Sequence, residues 1–425
     1  MPRRLAGLWR HPDFIKLWAG ETISLLGTQI TLLALPLTAV VLLDASPQEM
    51  GILTAAETAP FLLIGLLAGV WIDRRRRRPI MMAANVGRAL LLGLIPLLDL
   101  LGMLHMAPLV AIAFAVGTLT VFFDVAYQVY LPALVSREHL VEGNAKLEIS
   151  RSGAQIVGPG VGGWLVGLVT APIAIAVDAL SFLVSTAFLG AIRQPEPAVA
   201  RQGPAPGLRP EIAEGLRLVL GNPMLRAIAG CTATANLFGS IMTAIFVLYA
   251  TRDLGIGAGL LGLIFAAGNV GFLLGALLAG QVPRRIGLGR TITLASLLGG
   301  LGTLLVPLAG GSQPMVIAML IAAQFIIGLS SPLYNVNQVS LRQTITPDRL
   351  QGRMNASMRF IVWGTMPLGS LLGGALGGAL GLRPTLLVAA LGGTLAFLWV
   401  WHSPVHTLQT QPPPAEPAVP LAGRG

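Results

Sequence analysis

Residues Gly51–Arg74 read GILTAAETAPFLLIGLLAGVWIDR, and 211 residues further on Gly262–Arg285 read GLIFAAGNVGFLLGALLAGQVPRR. Gly51/Gly262, Ala55/Ala266, Ala56/Ala267, Phe61/Phe272, Leu62/Leu273, Leu63/Leu274, Leu66/Leu277, Leu67/Leu278, Ala68/Ala279, Gly69/Gly280 and Arg74/Arg285 coincide without a gap. Both copies are apolar helices that end in arginines. A repeat of this length implies two pseudo-symmetric halves built from membrane helices.

The rest of the chain agrees. Of its 425 residues, 54% are hydrophobic and 11% charged, with mean hydropathy +0.76. A water-facing protein carries about 25% charged residues. The apolar runs exceed the roughly 20 residues that span a bilayer, and they lack the alternation of a membrane barrel. The expected fold is therefore all-α and integral to the membrane. It has twelve transmembrane helices in two six-helix bundles, over 14–43, 48–72, 79–102, 106–133, 147–169, 171–192, 223–250, 257–282, 289–310, 314–339, 354–380 and 383–401. This sets an N-terminal bundle at 1–192, a linker at 193–222, a C-terminal bundle at 223–402 and a disordered Pro-rich tail at 403–425. Within the linker, Ile212, Leu216, Val219 and Leu220 share one helical face, which suggests a short interfacial helix. The N-terminus carries no cleavable signal pattern, so the first helix is expected to act as the insertion signal.

The net charge of +10 reads as topology. Arg3, Arg4, Arg10, Lys16, the run Arg74–Arg78, Arg137, Lys146, Arg193, Arg201, Arg209, Arg217, Arg284, Arg285, Arg290, Arg342, Arg349 and Arg353 all fall on the side of the termini. The opposite loops offer Arg252 and Arg383. The positive-inside rule makes both termini cytoplasmic, with anionic lipid as the partner at that face and no role for nucleic acid. An Arg-rich, Ala/Gly/Leu-rich composition points to a bacterial cell membrane. The single cysteine, Cys231, excludes an intramolecular disulfide. No GxxxxGK[ST], Ser-His-Asp set or HExxH is present, which argues against ATP coupling within the chain and against an enzyme. No metal site is expected, since His402 and His406 lack further ligands, and a monomer is expected.

Two motifs carry a resemblance. Gly65 and Gly69 stand at GxxxG spacing before Asp73-Arg74-Arg75-Arg76-Arg77-Arg78. This resembles the loop signature of the major facilitator superfamily at Gly69, Asp73, Arg74, Arg77 and Arg78, with Arg76 where that family has a second glycine. The resemblance implies a conformational latch in which Asp73 meets a helix N-terminus; the repeat has Arg284 in its place. Residues Ala154–Gly163 read AQIVGPGVGG. Ala154, Gly158, Pro159, Gly162 and Gly163 are similar to that superfamily's exporter motif, in which small residues let helices approach and Pro159 bends the helix. Arg359 precedes Pro367 as Arg151 precedes Pro159, by eight residues, so span eleven echoes span five. Over about residues 10–402 the chain resembles the branch that includes enterobactin-type siderophore exporters and macrolide efflux proteins.

Intramembrane ionisable residues mark function in helix bundles. Glu21, Glu57, Arg88, Asp124 and Asp178 lie in first-half spans, with Glu148 and Arg151 at the start of span five, while no acid falls inside a second-half span. The counterparts of Glu57, Asp124 and Glu21 are Gly268, Asn335 and Cys231. Glu57 lies about 13 Å and Glu21 about 10 Å along their helices at 1.5 Å per residue. Glu21, Glu57 and Asp124 are the candidate proton-coupling residues, with an Arg88–Asp124 ion pair as the competing use of Asp124. Asp178 reads as a packing or cap-like residue. By the resemblance, helices 1, 4, 7 and 10 line the cavity. Gln29, Thr31, Phe122, Tyr127, Gln128, Asn236, Tyr334, Asn335, Asn337, Gln338, Trp363 and Met366 are the candidate cavity residues. An apolar pocket with a few amides and aromatics suits an amphiphilic cargo and argues against a highly charged one. The reading is export of a drug-, antibiotic- or siderophore-like molecule driven by the proton gradient, with no cofactor. A solute importer of the same fold, or a receptor or scaffold that transports nothing, are the alternatives.

Overall fold

The computed structural model describes residues 7–72, 75–135, 139–196 and 208–413. Among them there is no strand. The principal helices are α1 (Pro12–Leu37), α2 (Pro47–Leu63), α3 (Gly65–Ile72), α4 (Arg77–Leu100), α5 (Met106–Leu134), α6 (Leu140–Leu168), α7 (Ala171–Gly190) and α8 (Leu208–Gly221). They continue with α9 (Pro223–Arg252), α10 (Ala258–Leu278), α11 (Val282–Ile286), α12 (Leu288–Leu308), α13 (Gln313–Thr344), α14 (Gln351–Leu380), α15 (Leu382–Leu395) and α16 (Leu398–Trp401). Among the described residues, ten helical segments are long and apolar enough to cross a bilayer. The other two expected spans take different forms. One is α2 and α3, separated at Ile64, and the other is α6, which begins seven residues before the expected 147 and carries Glu142, Lys146, Glu148 and Arg151 in its first turns.

Local chemistry sets the helix ends. Ser46 and Glu49 form a capping box on α2, with Pro47 at the first helical position. His11 caps α1 by accepting from the Phe14 amide through Nδ1 at 3.1 Å. Arg383 closes the C-terminus of α12 by donating to the carbonyls of Pro307 at 2.7 Å and Ala309 at 3.4 Å. Arg252 pairs with Asp44, so both arginines of the expected outer loops are engaged.

By contact the chain divides into two compact units. The first comprises Met1–Arg201, Thr243–Ala266 and Gly373–Ala379, and the second Gln202–Met242, Ala267–Leu372 and Leu380–Gly425. In the first unit, α7 packs on α1 and α4, and α5 on α2, α3 and α4. Gly27 brings α1 and α7 close enough that a Cβ there would strike Ser181 and Asp178. In the second unit, α12 packs on α13 and α15. α8 buries Val219 in the second core, pairs Glu214 with Arg353 and sets Gly215 against α14, while Leu216 is half-buried, Leu220 is exposed and the side chain of Ile212 lies outside the described residues.

The tail differs from expectation between 403 and 409. The amides of Leu288 and Gly289 donate to Gln409 and Leu408 carbonyls at 3.1 and 2.8 Å, and Val405 is fully buried. Gly289 admits the returning strand of chain, since a side chain there would meet the Val405 carbonyl. His406 packs on Trp401 with ring centroids 4.2 Å apart.

Candidate functional site

Five helices of the first unit bring ionisable side chains together. Glu21 on α1 and Asp124 on α5 each lie within electrostatic range of Arg88 on α4 and Arg151 on α6, and Asp178 on α7 adds to the field at Arg88. Arg88 is buried and its guanidinium sits 4.4 Å from the Phe123 ring and 4.1 Å from the Phe182 ring. It donates through Nη2 to Asn85, whose Nδ2 donates to Ser185 Oγ at 3.1 Å. The expected Arg88–Asp124 ion pair is corrected here, because no ion pair joins them among the described residues. A flat, weakly hydrated guanidinium gains more between two ring faces, and the carboxylates balance it at longer range. Asp124 has no hydrogen bond to its carboxylate among the described residues, nor does Glu21. Asp178 is fully engaged, accepting from Thr31 Oγ1 at 2.5 Å and Ser181 Oγ at 3.0 Å. That places Thr31 in α1–α7 packing.

Glu57 on α2 is half-buried, and among the described residues its carboxylate has neither a hydrogen-bond nor an ion-pair partner. Of the other cavity candidates, Tyr127 stacks on Phe123 at 5.9 Å and lies in the field of Glu21, Arg151, Asp124 and Glu148. Several second-unit polar groups are partly spent on packing. Asn236 donates to the Val362 carbonyl at 3.1 Å, Asn337 to the Ala279 carbonyl at 3.1 Å, and the Tyr334 hydroxyl meets Thr232 Oγ1 at 2.7 Å. Asn335 is exposed and Gln338 is 4% exposed with Oε1 unpartnered. Gln29, half-buried, packs against Gly158.

The α6 glycines serve two different contacts. Gly158 and Gly162 receive α1, with Gly162 3.2 Å short of Ile30 Cα once a Cβ is built on it. Gly163 meets α10, where a Cβ would lie 2.5 Å from the Ala258 carbonyl and 3.1 Å from Gly262 Cα. Ala154 is buried in the same helix and Pro159 turns its carbonyl toward Gly262. A matching contact joins α14 to α2, since a Cβ on Gly374 would lie 3.0 Å from Gly51 Cα. Both contacts belong to the first unit. Gly163 and Gly374, like Gly51 and Gly262, are 211 residues apart. So are the partners in a second set, Gly158 against Gln29 and Gly369 against Ser240. The structural register of α6 and α14 is thus 211, and the echo of Arg151–Pro159 in Arg359–Pro367, an offset of 208, is not the equivalent pairing. Backbone-to-backbone packing sets register more tightly than a proline does. In the true register Arg359 stands where the first half has Glu148, and Gln338 where it has Tyr127.

Of the loop signature, Asp73 and Arg74 lie outside the described residues and Gly69 lies in α3. Gly65 has nothing within 4 Å of a built Cβ, so the close helix approach expected there is not made at that residue. Arg77 and Arg78 act within the first unit. The Glu196 carboxylate accepts from both their amides, at 2.7 and 3.2 Å, capping α4, and it pairs with the Arg77 guanidinium at 3.6 Å. Arg78 donates to the α7 carbonyls of Leu189, at 2.8 Å, and Gly190, at 2.6 Å, while Asp13 accepts from the amides of Arg193 and Gln194. Glu196 was invisible to motif reading; its signal is an acid between two prolines just past a helix end. Arg75 lies over Trp71 at 4.6 Å, at a mainly apolar groove of about 510 Å³ that reaches Phe122.

Comparison with known proteins accords with these observations. The family model described as Major Facilitator Superfamily matches residues 17–362 and 228–424. The chain is 28% identical over 395 residues to the multidrug efflux pump Tap of Mycolicibacterium fortuitum, covering 90% of this chain and 93% of that one. It is 27% identical over 370 residues to the enterobactin exporter EntS of Salmonella typhi, covering 83% and 82%. The crystal structure of the nucleoside transporter NupG superposes with a TM-score of 0.72 at 13% identity, covering 92% of this chain and 99% of that one, a likeness of fold. With the family match spanning nearly the whole chain, this protein belongs to the major facilitator superfamily and is a multi-pass membrane transporter.

Proposed function

We propose that this transporter exports a hydrophobic or amphiphilic small molecule in exchange for protons, by alternating access. The observation that carries the coupling is Glu57, a half-buried carboxylate in a membrane helix with no partner among the described residues. Glu21 and Asp124 are the second and third candidates, each without a direct partner and each in range of Arg88 and Arg151. A carboxylate held in this way exchanges its charge for a proton at modest cost, and the change in buried charge biases one conformation over another. The relatives support the direction, since Tap is a multidrug efflux pump and EntS an enterobactin exporter. Termini in the cytoplasm place the Gly163–Gly262 and Gly374–Gly51 contacts toward the outer face, where they hold α6 to α10 and α2 to α14 in one of the two states. Asp73 with Arg74 forms the latch on the inner face, supported by Arg77 and Arg78, while Arg75 and Arg76 meet anionic lipid. The protein works as a monomer.

The test is transport in proteoliposomes. Cargo movement driven by an imposed pH gradient is expected to fall about tenfold or more in Glu57→Gln, while gradient-independent counterflow persists. Transport indifferent to the gradient, or intact in Glu57→Gln, Glu21→Gln and Asp124→Asn alike, would sink the coupling scheme.

A further inference from the structure

The helices α9, α10 and α12 to α15 carry no aspartate or glutamate. Along the seam of α13 and α14 they nevertheless carry two cations. Arg342 on α13 reaches Asn355 on α14 through Nη2, at a long 3.4 Å, and its buried Nε has no hydrogen-bond partner. Arg359 follows Asn355 by one helical turn, on the same face, and lies within electrostatic range of Arg342. Gln338 precedes Arg342 by one turn and is 4% exposed; its unpartnered Oε1 is an acceptor, so only its Nε2 can serve an anion. Its Nε2 has only a marginal contact of 3.5 Å with Asn335. Arg342 stands in the last turn of α13 and is half-buried, and Arg359, eight residues after the first residue of α14, is exposed with its guanidinium 5.5 Å from the Trp363 ring, so a ligand at this end of the seam can reach both cations. Two like charges in range of each other, one with an unused N–H, are complemented by an anion.

The internal repeat isolates the point. Arg359 occupies the position of Glu148, and Gln338 that of Tyr127, which in the first unit stands in the field of Glu21, Asp124, Glu148 and Arg151. There the protein supplies both signs. In the second unit the membrane helices supply only the positive one, and its acid Glu214, on α8, is paired with Arg353. We infer that the α13–α14 seam is an oxyanion-binding subsite, in which Arg342 and Arg359, with the amides of Asn355 and Gln338, take the acidic group of the transported amphiphile. A carboxylate, sulfonate or similarly planar acid fits two guanidinium forks. The inference rests on the chain being a transporter of an amphiphile, and it makes that amphiphile acidic, against the expectation from sequence of weakly charged cargo.

Equilibrium binding to the purified full-length protein in dodecyl maltoside tests this without any proton gradient, so the outcome is independent of the coupling scheme. The probes are 1-pyrenebutyrate, its neutral amide and inorganic phosphate, read by fluorescence anisotropy and by competition. The acid is expected to bind about tenfold tighter than the amide, the scale of a charge-assisted pair. That preference should vanish in Arg359→Gln and in Arg342→Gln, and largely return in Arg359→Lys. Unliganded melting temperatures identify any variant that fails to fold, and Arg359→Lys keeps the comparison available in that case. Equal binding of acid and amide by the wild type, or a preference that survives both glutamine substitutions, overturns the inference. Displacement by phosphate with no discrimination between acid and amide assigns the seam to a free inorganic anion and overturns the cargo role.

Discussion

The first and second units solve the problem of charge in a membrane differently. In the first, Arg88 is stacked between Phe123 and Phe182, tied to Asn85, and surrounded at longer range by Glu21, Asp124 and Asp178. In the second, Arg342 and Arg359 have neighbouring amides and an aromatic ring but no acid on any surrounding membrane helix. The packing of α6 on α1 and of α14 on α9 is related by the same offset, as the paired contacts of Gly158 with Gln29 and Gly369 with Ser240 show. The lesson is that pseudo-symmetry conserves what backbones need to pack and leaves charge free to diverge. One unit then carries both signs of charge on its membrane helices while the other carries cations alone on helices α9, α10 and α12 to α15.

The largest effect that would sharpen this contrast is on stability. Arg88→Met should lower stability by about 2–3 kcal/mol, because it strands the nearby carboxylates and empties the site between two rings. Arg359→Gln should change it by less than about 0.5 kcal/mol, as expected for an exposed position whose guanidinium lies 5.5 Å from a single ring. Thermal unfolding in detergent compares them directly, and similar losses would mean that the second cation is compensated after all. A smaller effect concerns the glycine contacts. Gly163→Ala should force α6 from α10, and Gly374→Ala should force α14 from α2, each at about 1–3 kcal/mol. Spin-label distances across each pair, in a Cys231→Ser background, should lengthen. An unchanged spacing in both would refute backbone-to-backbone packing there. The smallest effect separates the two helix starts that the repeat relates. Ser46→Ala removes half of a capping box and should cost about 1 kcal/mol, whereas Gly257→Ala, at the corresponding place before α10, removes no side-chain cap. Equal melting temperatures for the two variants would show that the cap adds nothing in the membrane.

Much of this molecule can be read from one strand of letters. Apolar runs and the spacing of Gly51–Arg74 against Gly262–Arg285 follow from bilayer thickness and from the cost of unpaired backbone. Those constraints act locally, so composition and period are enough. The confinement of span acids to the first half is equally a matter of sequence. The partners of those acids are not. Arg88 could pair with Asp124 or stack on rings, and only the placement of Phe123 and Phe182 from two other helices decides it. Glu196 caps α4 from 119 residues away, and residues 403–409 close on α12 although their sequence reads as a loose tail. The register of α6 against α14 is of the same kind: prolines suggest one alignment, and close backbone contacts at Gly163 and Gly374 impose another. Sequence thus determines where chain can cross a membrane, because that is a balance between each segment and its solvent. Which charges meet, and which remain open for a ligand, depends on packing between distant segments and is settled only in three dimensions.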